Sequence, residues 1–328
     1  MGKNSPTSIA RYFRQIRWQP QSDVYGAKHM RAISKWDGTQ FDLFLFNSKS
    51  GVRTGLFDLD QHDRNPGDNQ NYSFYGMNAY RSIPAIKRAA GLDGSKTLIA
   101  VCNGGLFTPG TDKLWRASHS SSLVYHRKTC YPVDRPAWTV GLRNDGLKAA
   151  SIRFARSHKD LPTNVDYAIC DVQALIVNGK PMKDRPMPLN DEMKMSRTSI
   201  AWDRHGNLFL LVVHELDSEA ASKSQVVNDE PQTGGWSFAQ LRKFWKVMNV
   251  PYAANLASGD SSQVVYKWKR SLTTSSWFVR KSGYAFIPST EFAVTVGYFN
   301  NHPLKISIPT LPPYLMARGS LNYIYIYK

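Results

Sequence analysis

The sequence predicts an α+β fold, a curved, mainly antiparallel or mixed sheet with a few packed helices. Short runs rich in β-branched and aromatic residues, broken by Gly, Asn and Asp turns, recur along most of the chain. Only two segments stand out against them with helical periodicity and stop signals. The 42% hydrophobic and 12% aromatic content of 328 residues gives a sizeable core and excludes wholesale disorder.

In chain order, Phe41 to Phe46 reads as a strand ending at Asn47-Ser48. Asp58 to Ser73 is the longest polar stretch. It reads as a solvated loop, with ligation of a hard cation such as calcium as the alternative, although the glycine and glutamate of an EF-hand are not in place. Met77 to Ala90 forms a helix stopped by Gly91, with Tyr80, Ile83 and Ile86 inward and Lys87 and Arg88 outward; Pro84 argues against it. Leu98 to Val101 and Trp138 to Arg143 are strands, the latter closed by Asn144-Asp145-Gly146. Ala174 to Val177 runs into Asn178-Gly179, and Arg197 to Trp202 pairs with Leu208 to Val213 across Asp203-Arg204-His205-Gly206. Ser237 caps a second helix, with Gln240 three residues on; Phe238, Leu241, Phe244, Trp245 and Met248 share one face and Arg242, Lys243 and Lys246 the solvated one. Gln263 to Trp268, the hairpin of Trp277 to Arg280 with Tyr284 to Ile287, and Leu321 to Tyr327 complete the strands.

Net charge is 42 − 25 = +17, spread along most of the chain. That charge attracts anions: a phosphodiester, an anionic cell-wall polymer, nucleic acid or a membrane surface. No helix-turn-helix, zinc-finger or RNA-binding sheet signature singles out nucleic acid. Cys102, Cys130 and Cys170 have no metal spacing and read as buried thiols, with a Cys102–Cys170 or Cys130–Cys170 bridge open if the protein is secreted. The longest apolar run, Leu208 to Val213, is of strand length, far below a membrane span. Met1 to Trp18 lacks the hydrophobic core of a signal peptide, which predicts a cytoplasmic protein or one whose leader has been removed. Without a glycine-rich phosphate loop or zinc spacing, the options are a cofactor-free hydrolase and a binding protein.

Three polar motifs stand beside apolar strands: Asn103-Gly104-Gly105-Leu106-Phe107, Ser196-Arg197-Thr198-Ser199-Ile200-Ala201, and Asn255-Leu256-Ala257-Ser258-Gly259-Asp260-Ser261-Ser262. Together with the Asn178-Gly179 turn and with Gly235 before the second helix, they resemble the phosphodiester glycosidase family from about Lys96 to Trp268. The resemblance implies an extension over 1–95 that adds strands and a helix to the same fold, and a glycosidase-like domain over 96–328. It also implies hydrolysis of the glycosidic bond of a sugar 1-phosphodiester, releasing sugar and a phosphomonoester. The family usually reads Asn-Leu-Asp-Gly-Gly-Gly-Ser in the third motif. Here Ala257 and Ser258 replace the Asp and first Gly, and Asp260 replaces the third.

Such a cleavage needs the phosphate charge held, the sugar gripped and a carboxylate at the anomeric carbon. Arg197 offers a planar fork for phosphate, or pairs with a core carboxylate. Asn103 with the Gly104 and Gly105 amides suits sugar or phosphate recognition, or forms a plain turn. Asp260 is the first candidate carboxylate and Glu215 the second; His214 beside Glu215 makes a base-and-orienter pair or a surface hydrogen bond. Thr198, Ser261, Ser262 and His214 complete the substrate-binding set. No metal or cofactor is expected, and the partner is an anionic phosphosugar or glycopolymer. The rival readings are a non-catalytic binder of carbohydrate or anionic polymer on the same fold, and a basic nucleic-acid-associated protein.

Overall fold

Strands with apolar residues at every position, such as Leu208-Phe209-Leu210-Leu211-Val212-Val213, have both faces to bury, and the architecture covers both. The structure, a computed structural model, describes residues 13–19, 26–34, 39–59, 72–73, 78–92, 94–105, 107–109, 116–120, 123–125, 128–129, 136–143, 151–182, 194–214, 235–267, 284–287, 294–299, 302–306 and 319–328. The chain begins with β1 (Phe13–Gln19), β2 (Lys28–Ser34), β3 (Gln40–Phe46), β4 (Arg53–Asp58), β5 (Tyr72–Ser73), helix α1 (Ala79–Ala89) and β6 (Leu98–Asn103). It continues through β7 (Phe107–Pro109), β8 (Arg116–Ser120), β9 (Leu123–Tyr125), β10 (Lys128–Thr129), β11 (Ala137–Leu142), β12 (Ser151–Ala155), β13 (Tyr167–Cys170), β14 (Gln173–Val177) and β15 (Lys180–Pro181). After them come β16 (Arg197–Trp202), β17 (Leu208–Val213), α2 (Phe238–Val247), β18 (Tyr252–Ser258), β19 (Val264–Lys267), β20 (Tyr284–Ile287), β21 (Val294–Phe299), β22 (His302–Ile306) and β23 (Asn322–Tyr327).

The largest sheet has the order β1-β2-β3-β17-β16-β18-β14-β15, and two five-stranded sheets have the orders β20-β19-β6-β23-β4 and β10-β9-β13-β11-β12. Neighbouring strands pair antiparallel, so the architecture is α+β and mainly sheet. One core lies between the sheets: Phe44, Leu210, Ile200 and Leu256 meet Cys102, Val264, Ile324, Val140 and Ile169. The outer face of the large sheet packs on α2 through Phe41, Leu211 and Val213 against Trp236, Phe244 and Trp245. Helix α1 covers the β20-β19-β6-β23-β4 sheet, with Ile83 and Ile86 on Val101, Val265 and Tyr323. Register shifts on β14–β18 and β16–β18 bend this part of the large sheet.

Helix α2 has the expected capping box, Gln240 N–H to Ser237 Oγ at 3.2 Å and Ser237 N–H to Gln240 Oε1 at 2.9 Å. Arg242 departs from expectation: it is buried, because it lies four residues after Phe238 and three before Trp245 and so flanks the apolar stripe. Pro84 is accommodated inside α1 on its exposed side, and the helix starts at an Asn78 cap that accepts Arg81 N–H at 3.0 Å. Asn178 and Gly179 both adopt positive φ, 51° and 74°, in the tight turn from β14 to β15. Cys102 and Cys170 are free thiols, and burial pushes the Cys102 thiol up. Cys130, residues 60–71, Asn144-Asp145-Gly146, Trp268 and Trp277 to Gly283 lie outside the described residues. No helix among the described residues is long and apolar enough to cross a membrane.

Candidate functional site

The ends of β6, β16 and β18 converge, bringing the three motifs together. Asn103 closes β6, and its Oδ1 accepts Thr198 Oγ1–H at 2.6 Å and Gln263 N–H at 3.0 Å. Its Nδ2 donates to the Ala257 carbonyl at 3.1 Å. Asn103 belongs to one sheet and Thr198 and Ala257 to another, so this buried amide clips two layers together. Gln263 extends the network to α1, where its Oε1 accepts Ala79 N–H at 2.7 Å.

Gly104 and Gly105 are glycines for want of room: a Cβ on Gly104 would strike Asn322 Oδ1, and one on Gly105 would strike Ile169 Cγ2. Neither has positive φ. The expectation that their amides face a ligand is corrected, because Gly104 N–H donates to the Asn322 carbonyl at 2.8 Å and Gly105 N–H to Asn322 Oδ1 at 2.7 Å. Both donors are spent on holding the loop against β23.

Arg197 is fully buried. Its Nε–H donates to the Trp236 carbonyl at 2.9 Å and Nη1–H to Ser258 Oγ at 2.9 Å, with the guanidinium carbon 4.0 Å from the centre of the Phe238 ring. In this placement the fork grips the third motif from beneath and does not open on solvent. Ser258 Oγ also accepts Asn255 Nδ2–H at 2.9 Å. Ser196 clamps the next residue on both sides, Oγ–H to the Gly259 carbonyl at 2.7 Å and its own carbonyl from Gly259 N–H at 2.9 Å. Residues Gly259–Ser261 then turn as a short 3-10 helix. Ser258, Gly259 and Ser261 are partly exposed, whereas Ser262 is buried with its hydroxyl unpartnered. Asp260 is at the apex of this turn; its side chain and the whole of Glu215 lie outside the described residues.

His214, just past β17, points Nε2 at Asp42 Oδ2 at 2.7 Å. Burial alone would push the Asp42 carboxyl up, but hydrogen bonds and attraction from His214 and His29 hold it well below the usual carboxylate range. Asp42, Gln263 and Asn322 were not singled out from the sequence. Only Asp42 left a signal there, a charge inside the otherwise apolar Phe41-Asp42-Leu43-Phe44-Leu45-Phe46 strand. Among the described residues, no group of three His, Cys, Asp or Glu is placed to hold a metal ion.

The phosphodiester glycosidase family model matches residues 96–287, more than half of the chain. The chain belongs to the phosphodiester glycosidase family. No curated protein matches this family member in sequence. In structure it is similar to the catalytic domain of zebrafish N-acetylglucosamine-1-phosphodiester alpha-N-acetylglucosaminidase, auto-inhibited by its pro-peptide, with 16% identity, TM-score 0.46, and 89% of this chain and 86% of that one covered. A Synechocystis protein is similar at 12% identity and TM-score 0.42, over 92% of this chain and 62% of that one. A protein of Burkholderia pseudomallei described as exported is similar at 11% identity and TM-score 0.41, over 70% of this chain and 69% of that one. All three motifs fall inside the span matched by the family model, whereas Asp42 and Asn322 fall outside it.

Proposed function

We propose that this glycosidase-family protein hydrolyses the glycosidic bond of a sugar 1-phosphodiester, releasing free sugar and a phosphomonoester. The observation that carries the reading is the convergence of the three motifs: Asn103 is bonded to Thr198 and Gln263, and Arg197 to Ser258, within the family's span. The partly exposed turn Ser258 to Ser261 is the surface offered to substrate, and the buried Asn103, Thr198 and Arg197 fix it. Asp260 at its apex stabilises the positive charge that develops at the anomeric carbon. Arg197 supplies a fixed positive charge under the turn, favouring a phosphate above it, and the +17 net charge draws in an anionic phosphosugar or glycopolymer. No cofactor enters this chemistry.

A second reading, a non-catalytic binder of carbohydrate or anionic polymer, is favoured by the buried Ala257 where the resemblance places a carboxylate. Incubation with UDP-sugars and with methyl or nitrophenyl phosphosugars separates the two. Release of reducing sugar supports the hydrolase; retention of the phosphosugar without release supports the binder. The family match lends the nucleic-acid reading no support.

A further inference from the structure

We propose that His214 is the general base of this site, taking a proton from the attacking water on Nδ1, with Asp42 as the residue that positions it. The assignment rests on the hydrolase reading above and adds to it the proton acceptor that reading lacks.

Asp42 is a fully buried carboxylate with four contacts from three side chains: His214 Nε2 at 2.7 Å on Oδ2, His29 Nε2 at 2.5 Å on Oδ1, and Arg31 Nε at 3.1 and 3.3 Å. Arg31 supplies a permanent countercharge to the carboxylate. The two histidines then differ in what their second nitrogen can do. His29 is enclosed, stacked on Phe44 with centroids 4.4 Å apart, and its Nδ1 is buried without a partner, so a proton there would have no acceptor. His214 is 15% exposed, and its Nδ1 has no hydrogen-bond partner among the described residues. With Nε2 committed to Asp42, Nδ1 is the atom left to exchange a proton.

The register ties this dyad to the three motifs. Thr198, Val212, Asp42 and Arg31 form one row across β16, β17, β3 and β2, on a single face of the sheet. Carried one residue past the strand ends, the pairing of Arg197 with Val213 sets His214 beside Ser196, roughly 5 Å away across one strand spacing. Ser196 is the residue that clamps Gly259 on both sides, directly before Asp260.

The chemistry chooses base over acid. A phosphomonoester is a weakly basic leaving group and departs without protonation, so the water is the reactant that needs help. The water oxygen bonds to the anomeric carbon while its proton passes to His214 Nδ1. The bond from that carbon to the phosphate oxygen breaks with its electron pair going to the phosphate, and His214 later returns the proton to solvent. Among the described residues, His29 and Arg31 from β2 contact Asp42, and Tyr266 from β19 packs on His29.

The test is sugar release from a UDP-sugar by the full chain and its variants. His214→Ala should lower kcat by about 10²–10⁴-fold with KM held within about threefold, and added imidazole should restore activity in proportion to its concentration. His214→Gln, which retains a donor towards Asp42, should show the same fall and lose the acid limb of the kcat profile. Asp42→Asn should lower kcat and displace that limb, a change that a purely structural role would not produce. An active wild type whose His214→Ala and His214→Gln variants keep kcat within about threefold, or whose loss imidazole does not restore, overturns this assignment alone. A wild type that releases no sugar overturns the hydrolase reading and the assignment with it.

Discussion

Thr198 donates its hydroxyl to Asn103 Oδ1 at 2.6 Å across 95 positions of sequence, and that bond joins the strand ends of two different sheets. Both residues are fully buried, so the bond is made in a low-dielectric layer where an unpaired partner is costly. The same acceptor also takes Gln263 N–H, which lies just beyond the Ser258 to Ser262 turn. A polar joint of this kind fixes the turn to the core, which is what a binding or catalytic loop requires of its support.

Thr198→Val keeps the shape and removes the donor. It should cost about 1–2 kcal/mol, because Asn103 Oδ1 retains only its bond from Gln263. Asn103→Ala removes all three bonds and should cost about 3 kcal/mol or more. Urea denaturation reads both, and equal costs for the two variants would show that the amide does not join the sheets.

Gly104→Ala should destabilise by about 1–3 kcal/mol, since the new methyl group forces Asn322 Oδ1 aside and weakens its bond to Gly105 N–H. Shortening the obstructing side chain tests the cause. The double variant Gly104→Ala with Asn322→Ala should cost less than the sum of the single ones by about 1 kcal/mol, the coupling expected of groups in contact. Simple additivity in the same denaturation experiment would place the clash elsewhere.

Sheet class and both helices were legible because they depend on local signals: period-two and period-3.6 patterns and the Ser237 and Gln240 capping box. What each motif residue does was not legible. The Gly104 and Gly105 amides and the Arg197 fork look the same in sequence whether they meet a ligand or the protein, and the choice was made by Asn322, Trp236 and Ser258 from distant segments. The charge of Asp42 was visible inside its apolar strand, but its partners were not, since His29 and His214 are 13 and 172 positions away.

Asp42 should leave a mark on acid stability. Its folded carboxyl is held below the usual range by His214 and His29 after burial has pushed the other way, while the unfolded value is about 3.9. A depressed folded value stabilises the protein above the unfolded value, and that contribution is lost as pH falls through about 4 towards the folded one. The stability gap between wild type and Asp42→Asn should therefore be widest near neutrality and should narrow steadily below about pH 4. Urea midpoints of both proteins across this range measure it, and a gap independent of pH would mean that Asp42 is buried uncharged.

The last test concerns the altered third motif. Asp260→Asn should abolish sugar release with the fold intact, because an amide cannot stabilise positive charge at the anomeric carbon. Restoring the family residues with Ala257→Asp and Ser258→Gly should bring no gain in turnover. Ser258 Oγ accepts from both Arg197 and Asn255, so the glycine unties the guanidinium and the amide at once. Ala257 is buried and bonded through both backbone groups, its N–H to the Gly104 carbonyl and its carbonyl to Asn103 Nδ2, so a carboxylate there enters a site already closed by the protein. The double variant should accordingly lose about 2–4 kcal/mol of stability. A large gain of sugar release by that variant, with Asp260→Asn as active as wild type, would instead mean that the carboxylate chemistry was lost at position 257 and never moved to Asp260.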